Sequence, residues 1–391
     1  MKKLIVLFLV VVFTLSVAIT ASASTFNPFC GGRIVWSYID SDAKNSTDNN
    51  NEDWKDNPVS LNHGGLKLLL RESLSDDATG TWANIGFRAD GWPNEKYQSD
   101  DGTVNKGTAP LNGNSINTTT IYDFGWKKIG GSHFNLWYSN WESETTNIGQ
   151  GRIYEVYPTQ FNEDPMFDRD ASHCIDLDYI DDNLQVSYIY EPNKNDVDKN
   201  NNYFAVIYKF DGGDAHAGYY NGQTGYTKSG ASSDTQFNSS EYIVGTKFKA
   251  GPISAQVDYL NMDMKEDVDG NDCPWDKGSI ASADISYDPA KFDVTLISDD
   301  KYHFHTNGGY GYQARYSGFC DGKLSLVYKT MVADKDIDAT GIRGHLETGN
   351  FSTAYIGYKY GIFETRLGWG NHGKDDGKDD YVFASVYANF W

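Results

Sequence analysis

Two sets of charged residues in this chain are placed so that they could act together. Arg33, Lys67, Arg71, Arg88 and Arg366 lie inside segments where apolar and polar residues alternate. Glu155, Glu163, Asp164, Asp168 and Asp170 lie in one long polar connection. Cationic side chains set opposite carboxylates across water make a transverse field. Such a field orders water and favours solutes with charge or a dipole, and charged rings are a common way for pores to select ions. Covalent chemistry finds little support. The chain has no Gly-x-Ser-x-Gly nucleophile turn, and its eight His residues are scattered. His303-Phe304-His305 would put two imidazoles on one strand face, which can bind metal. It sits at a strand end, however, where surface histidine is the commoner case. Asp267-Val268-Asp269-Gly270-Asn271-Asp272 alternates carboxylates beside a glycine. An EF-hand loop wants Gly at its sixth position and Glu at its twelfth, and neither is in register. Asp196-Val197-Asp198-Lys199-Asn200 also lacks its later ligands. No enzyme activity, metal or cofactor is expected.

The elements that would carry these charges read as strands. Ile253, Ala255, Val257 and Tyr259 alternate with Ser254, Gln256 and Asp258. Ala281, Ala283, Ile285 and Tyr287 alternate with Ser282, Asp284 and Ser286. Phe292, Val294 and Leu296 alternate with Asp293 and Thr295, and Leu184, Val186, Tyr188 and Tyr190 with Gln185, Ser187, Ile189 and Glu191. Period-two alternation marks a strand with one apolar face. The spacing predicts strands near 33–39, 61–72, 81–90, 119–127, 133–141, 173–180, 184–191, 202–210 and 214–221. It predicts more near 241–249, 253–262, 279–287, 291–299, 309–317, 323–332, 351–359, 362–370 and 380–391. That makes eighteen; the ambiguous stretch Thr340 to Thr348 widens the range to 16–20. Tight turns rich in Gly, Asp, Asn and Pro join strands in pairs, as at Asp211-Gly212-Gly213 and Ala250-Gly251-Pro252. Long polar connections such as 41–56, 91–117, 193–202 and 371–380 alternate with them.

Composition narrows the setting. The 391 residues carry a formal net charge of −21 and 15% aromatics, including 27 Tyr. That acidity argues against a nucleic-acid partner, and the aromatic content argues against disorder. Lys2 and Lys3 precede the unbroken apolar run Leu4 to Phe13, and Ala21-Ser22-Ala23 is a small-x-small cleavage site. This is the pattern of an export leader. Residues 1–23 are expected to be a cleaved signal peptide, and residues 24–391 a single β domain. The leader holds the only apolar run long enough for a membrane helix.

An exported chain of amphipathic strands has two main fates. A soluble sandwich, such as an exported glycan-binding protein, hides its apolar faces inside. A transmembrane barrel turns them outward to lipid and surrounds water with its polar face. The strands are about as long as a tilted strand needs to cross a bilayer. Their even number returns both ends to one side, and short turns segregate from long loops, as in outer-membrane barrels. Tyr38, Tyr138, Tyr190, Tyr219, Tyr242, Tyr259, Tyr287, Tyr310, Tyr328 and Trp369 sit near strand ends, where interfacial girdles want rings with a polar tip. The expected fold is therefore an all-β, antiparallel up-and-down transmembrane barrel. Closure makes the first and last strands neighbours and gathers Arg33, Lys67, Arg71, Arg88 and Arg366 on one wall. Asp176, Asp178, Asp258, Asp284, Asp293 and Asp299 are further expected lumen acids.

The pattern is similar to that of the general bacterial outer-membrane porins, and the strand count resembles the eighteen-stranded sugar-porin branch. Porins of this kind fold their third external loop into the pore, often with a Pro-Glu-Phe-Gly-Gly-Asp stretch. Here the third long connection, Glu142 to Ser172, is the longest, and it holds Pro165-Met166-Phe167-Asp168-Arg169-Asp170. Pro, Phe and the last Asp match; the other three depart. Family members also end on an aromatic strand read by the assembly machinery. This chain ends on Phe390-Trp391, with Asn389 where an aromatic is usual. The resemblance implies an outer-membrane diffusion channel for small hydrophilic solutes, sugars or cations, embedded in outer-membrane lipid as a homotrimer. A barrel serving as surface adhesin or envelope scaffold is the other alternative. Four cysteines, 30, 174, 273 and 320, complete the inventory. If all were bonded, only 30–320 and 174–273 would join residues on the same side. Cys30 lies by the first strand, though, and Cys320 between the fourteenth and fifteenth.

Overall fold

The computed structural model describes residues 27–41, 66–91, 96–98, 104–106, 116–141, 143, 145–149, 166–167, 171–192, 200–226, 235–267, 277–300, 309–333, 351–374 and 377–389. The expected leader, Thr340 to Thr348, His303, His305, Asp196 to Asp198, Val268 to Cys273 and the Phe390-Trp391 end lie outside them.

Among the described residues twenty strands follow one another. They are β1 (Asn27–Ser41), β2 (Leu66–Asp76), β3 (Thr81–Gly91), β4 (Lys96–Gln98), β5 (Val104–Lys106), β6 (Ile116–Trp126) and β7 (Phe134–Ser139). Then come β8 (Cys174–Ile180), β9 (Leu184–Glu191), β10 (Asn201–Phe210), β11 (Gly213–Tyr226), β12 (Thr235–Ala250) and β13 (Ile253–Asp267). The last are β14 (Lys277–Tyr287), β15 (Phe292–Asp300), β16 (Gly309–Phe319), β17 (Leu324–Ala333), β18 (Phe351–Tyr360), β19 (Phe363–Lys374) and β20 (Gly377–Asn389). Eighteen form one antiparallel sheet, and β4 pairs only with β5 as a small hairpin in the second long connection.

Each of the eighteen pairs with the next, and β1 pairs with β20, so the sheet closes. The closing strand is shared along its length. Asn27 to Arg33 pair with β2, and Arg33 to Ser41 pair with β20. This offset is the stagger that tilted strands need in order to form a barrel. Closure leaves no open edge, so every spanning backbone donor and acceptor can be met within the sheet.

Alternation fixes the faces. On β13, Val257 is 47% exposed and Tyr259 38%, whereas Asp258 is 1% and Leu260 0%. Phe124, Ile175, Leu177, Tyr188, Phe204, Tyr242, Leu296, Tyr312, Ile356 and Leu367 are likewise exposed on the outer face. The expected outward apolar belt is present. The expected strands are also present, with shifted ends. The second runs Leu66–Asp76 rather than 61–72, because the apolar run Leu68-Leu69-Leu70 gives no alternation and the Arg33↔Lys67 register sets its place. β11 with β12, and β19 with β20, continue as polar ladders beyond the expected 214–221, 241–249, 362–370 and 380–391. The stretch 371–380, expected as a long connection, is therefore mostly the end of a hairpin. At the tight end Gly80 is required: its φ is +71°, and a Cβ there would run into the carbonyl of Lys127.

Candidate functional site: the barrel lumen and its inner loop

The described arms of the connection between β7 and β8 fold inward. The outgoing and returning arms pair through Ser143 with Ala171 and Ile148 with Phe167. Phe167 N–H donates to the Ile148 carbonyl at 2.9 Å. Ile148, Met166 and Phe167 are buried in one cluster with Ile189, Tyr203, Ala205, Tyr220, Ile243, Leu260, Ile280 and Ile297. Those wall residues come from the inner face of β9 to β15. Gly218 makes the seat possible, since a Cβ there would press on Ile148 and Phe167. The expected in-folded third loop is thus present. The Met166-Phe167 pair of the porin-like stretch forms its apolar foot.

The lumen wall under this loop corrects a simple expectation. Polar-parity positions do not all face water. Ile189, Tyr203, Ala205, Tyr220, Ile243, Leu260, Met262, Ile280 and Ile297 make an apolar step on the inner face, one or two residues per strand, with Gly218 leaving room for the loop. Sequence reasoning assigned Ile189 to the polar face without explanation. The signal was there: apolar residues intrude on the polar parity of successive strands, which only an inner covering explains.

Carboxylates pin the loop at both ends. Asp176 Oδ2 accepts from Ser143 Oγ at 2.6 Å and Thr145 Oγ1 at 2.7 Å. Glu191 Oε1 accepts from the Ser172 backbone N–H at 3.1 Å, while its Oε2 accepts from Tyr203 Oη at 2.6 Å. One inner position nearer the tight turns, His216 bridges two acids. Its Nδ1 lies 2.9 Å from Asp214 Oδ1 and its Nε2 lies 2.6 Å from Asp258 Oδ1. The bond to Asp258 crosses β12 at Gly245, where any side chain would collide with both partners. Gln256 Nε2 donates to Asp258 Oδ2 at 2.9 Å. Asp176, Asp178, Asp258 and Asp293 are buried on the inner face, and Asp284 accepts from Thr295 at 2.8 Å. The side chain of Asp299 lies outside the described residues.

On β19 and β1 to β3 the sheet order makes the strands of Arg366, Arg33, Lys67, Arg71 and Arg88 near neighbours, as expected. Arg71 Nη2 meets Asp123 Oδ2 at 3.1 Å, and Asp123 Oδ1 also accepts from Ser139 Oγ at 2.8 Å. Arg88 stacks over Trp141 at 4.8 Å. Arg366 meets Glu364 at 3.0 Å and lies over Tyr355 at 5.0 Å. Among the described side chains of this wall, Arg71, Arg88 and Arg366 have local partners rather than standing as bare charges. The Arg33 and Lys67 backbones pair directly, but their side chains lie outside the described residues. So do Glu155, Glu163, Asp164, Asp168 and Asp170. Sequence reasoning missed Asp123, Glu191, Asp214, His216 and the apolar step as working parts of the lumen. No group of three or more metal-binding side chains occurs among the described residues.

The cysteine pairings do not form. Cys174 is a buried free thiol and Cys320 an exposed one in the turn between β16 and β17. Cys30 sits on β1, strands away from Cys320 around the ring, which is beyond disulfide reach.

Neither a protein-family model nor a curated protein matches this sequence. Solved structures do. OpdL of Pseudomonas aeruginosa matches with a TM-score of 0.53 at 12% identity, covering 94% of this chain and 98% of that one. OpdK of the same organism, solved with vanillate, matches at 0.50 and 11%, covering 94% and 99%. An anion-selective porin of Comamonas acidovorans matches at 0.45 and 10%, covering 94% and 100%. At these identities the likeness is one of fold.

Proposed function

We propose that this chain, which has the fold of the outer-membrane porins, is a passive diffusion channel for small hydrophilic solutes, sugars or cations. The observation that carries the reading is the division of the sheet. Large apolar side chains stand exposed on the outer face, while acids, arginines and hydroxyls line the inner one. That is the arrangement of a wall between lipid and water. The reading includes an exported, outer-membrane protein, cleaved after residue 23 and assembled as a homotrimer.

Selection would come from the lumen charges. The described arms of the inner loop are seated on the β9 to β15 side, so the solute path would run between the loop and the wall of β19 and β1 to β3. Arg33, Lys67, Arg71, Arg88 and Arg366 would line that wall, and Glu155, Glu163, Asp164, Asp168 and Asp170 would face them from the loop. The acids on β8 and β11 to β15, with the net charge of −21, favour cations overall.

The test is planar-bilayer recording of purified protein. The expected result is stepwise ohmic conductance with a reversal potential, in a KCl gradient, on the cation side. Neutralising Asp168 and Asp170 together should reduce that preference. A heat-modifiable barrel that conducts nothing would favour the adhesin or scaffold reading. A protein soluble without detergent would favour the glycan-binding one.

A further inference from the structure

The base of the inner loop rests on a pair of acids with an unmet hydrogen-bonding need. Asp176 is 0% exposed and Asp178 4%. They stand two residues apart on the same, inner face of β8, as neighbouring side chains of one strand face. Asp176 Oδ2 is occupied by the Ser143 and Thr145 hydroxyls. Asp176 Oδ1 and Asp178 Oδ1 are both buried, and neither has a donor. Two ionised carboxylates in contact away from water repel each other, and here each would also hold an unsatisfied oxygen.

Trp137 Nε1 and the Ser187 hydroxyl stand beside the pair, but neither completes a hydrogen bond to either Oδ1. β7 sets Trp137 opposite Asp176 and Asn135 opposite Asp178, and β9 sets Ile189 and Ser187 there. The next inner position on β8 is Cys174. Glu191, opposite it, is occupied by Ser172, Asn201 and Tyr203. Arg71, on the wall beyond, is engaged by Asp123. Among the described residues no basic side chain bonds to either acid.

We propose that Asp176 and Asp178 form a proton-binding site that latches the inner loop to the barrel. A single proton on Asp178 Oδ1 donates to Asp176 Oδ1 and satisfies both oxygens at once. Asp176 stays ionised and keeps the strongest acceptor for Ser143 and Thr145. When that proton leaves, two like charges face each other at the loop's anchor. The latched state holds a proton that the released state gives up. The latch is therefore firm at low pH and weakens as pH rises through the titration of the pair.

Infrared spectroscopy on the full-length folded protein tests this directly. At neutral pH the wild type should show the carbonyl-stretch band of a protonated carboxylic acid. That band should vanish on raising the pH to about 9, and should be absent at neutral pH in Asp178→Asn and in Asp176→Asn. In parallel, protease cleavage between β7 and β8 should quicken with pH in the wild type, by up to about tenfold per unit. It should be flat in Asp178→Asn, whose amide N–H donates to Asp176 in the proton's place. A wild type with no such band, or with pH-independent cleavage, overturns the proposal. The wild-type titration decides even if neither variant folds. Both readouts work on a barrel that conducts nothing, so failure here is distinct from failure of the channel reading.

Discussion

Phe167 concentrates what single residues do in this barrel. It is 0% exposed in a structure whose middle is read as wet, so its ring has found an apolar seat. Truncating a buried aromatic typically costs about 3–5 kcal/mol. Phe167→Ala should spend that loss on the loop rather than on the ring of strands. The expected outcome is a barrel with unchanged heat-modifiable mobility but noisier conductance and faster proteolysis between β7 and β8. A variant that loses its folded gel band would contradict this. His216 is the opposite case, a polar residue whose partners both sit on the wall. Asp258→Ala strips the bridge from the buried side and leaves His216 facing Asp214 alone. Breaking one partner of a buried ionic pair costs about 3–5 kcal/mol, so this variant should lower the melting temperature of the barrel itself. Thermal unfolding followed by circular dichroism separates the two predictions. Neither residue's role could be read from its own segment. Phe167 was visible only as part of a degenerate six-residue match, and His216 only as one of eight scattered histidines. The partners of Phe167 lie across the lumen, and the buried partner of His216, Asp258, lies two strands away.

Strands and turns follow simpler rules. Alternation decided which side chains face lipid, and a substitution at either parity tests it. Val257→Arg puts a guanidinium on the lipid face, at a cost of roughly 2–4 kcal/mol near the bilayer midplane. Ser254→Arg, three residues away on the inner face, should fold with little loss. Equal yields of folded barrel from the two variants would contradict the assignment. The tight turns have their own chemistry. Asp181 accepts the backbone N–H of Leu184 at 2.7 Å and of Asn183 at 2.9 Å, and Tyr179 Oη adds a third donor. These hydrogen bonds, led by the two backbone donors, hold its carboxyl below the usual carboxylate range. A depressed folded value means the contribution is present above the unfolded value and is lost as pH falls through the folded one. Asp181→Ala should therefore destabilise the folded barrel slightly at neutral pH and not at all in strong acid. A gap between the two proteins that persists in acid would contradict the turn's role. Alternation made the strands legible because it is local. It could not place β2, whose start is set by its partner β1, nor the ladder extensions of β11, β12, β19 and β20, which polar residues continue without any apolar signal.

For the whole molecule, the even strand count and the segregation of short turns already implied closure. The β1–β20 register shows it, with Arg33 as the point where one strand changes neighbours. Closure also explains why arginines far apart in sequence, Arg71, Arg88 and Arg366, come to share a wall. The apolar step on the other wall was not legible. Each strand contributes only one or two residues to it, and the loop that covers it is more than a dozen residues away from any of them. An inner face read strand by strand looks watery; read around the ring, it carries a seat.

The measurement that bears most directly on this account is a cysteine scan along β13 in a background without native cysteines. A charged, membrane-impermeant thiol reagent would be applied to the reconstituted protein. Ser254→Cys and Gln256→Cys should react, and Ile253→Cys, Val257→Cys and Tyr259→Cys should be shielded by lipid. Reaction at the second set with protection of the first would mean that water lies outside and a dry core within, and the wall between lipid and water described above would not exist.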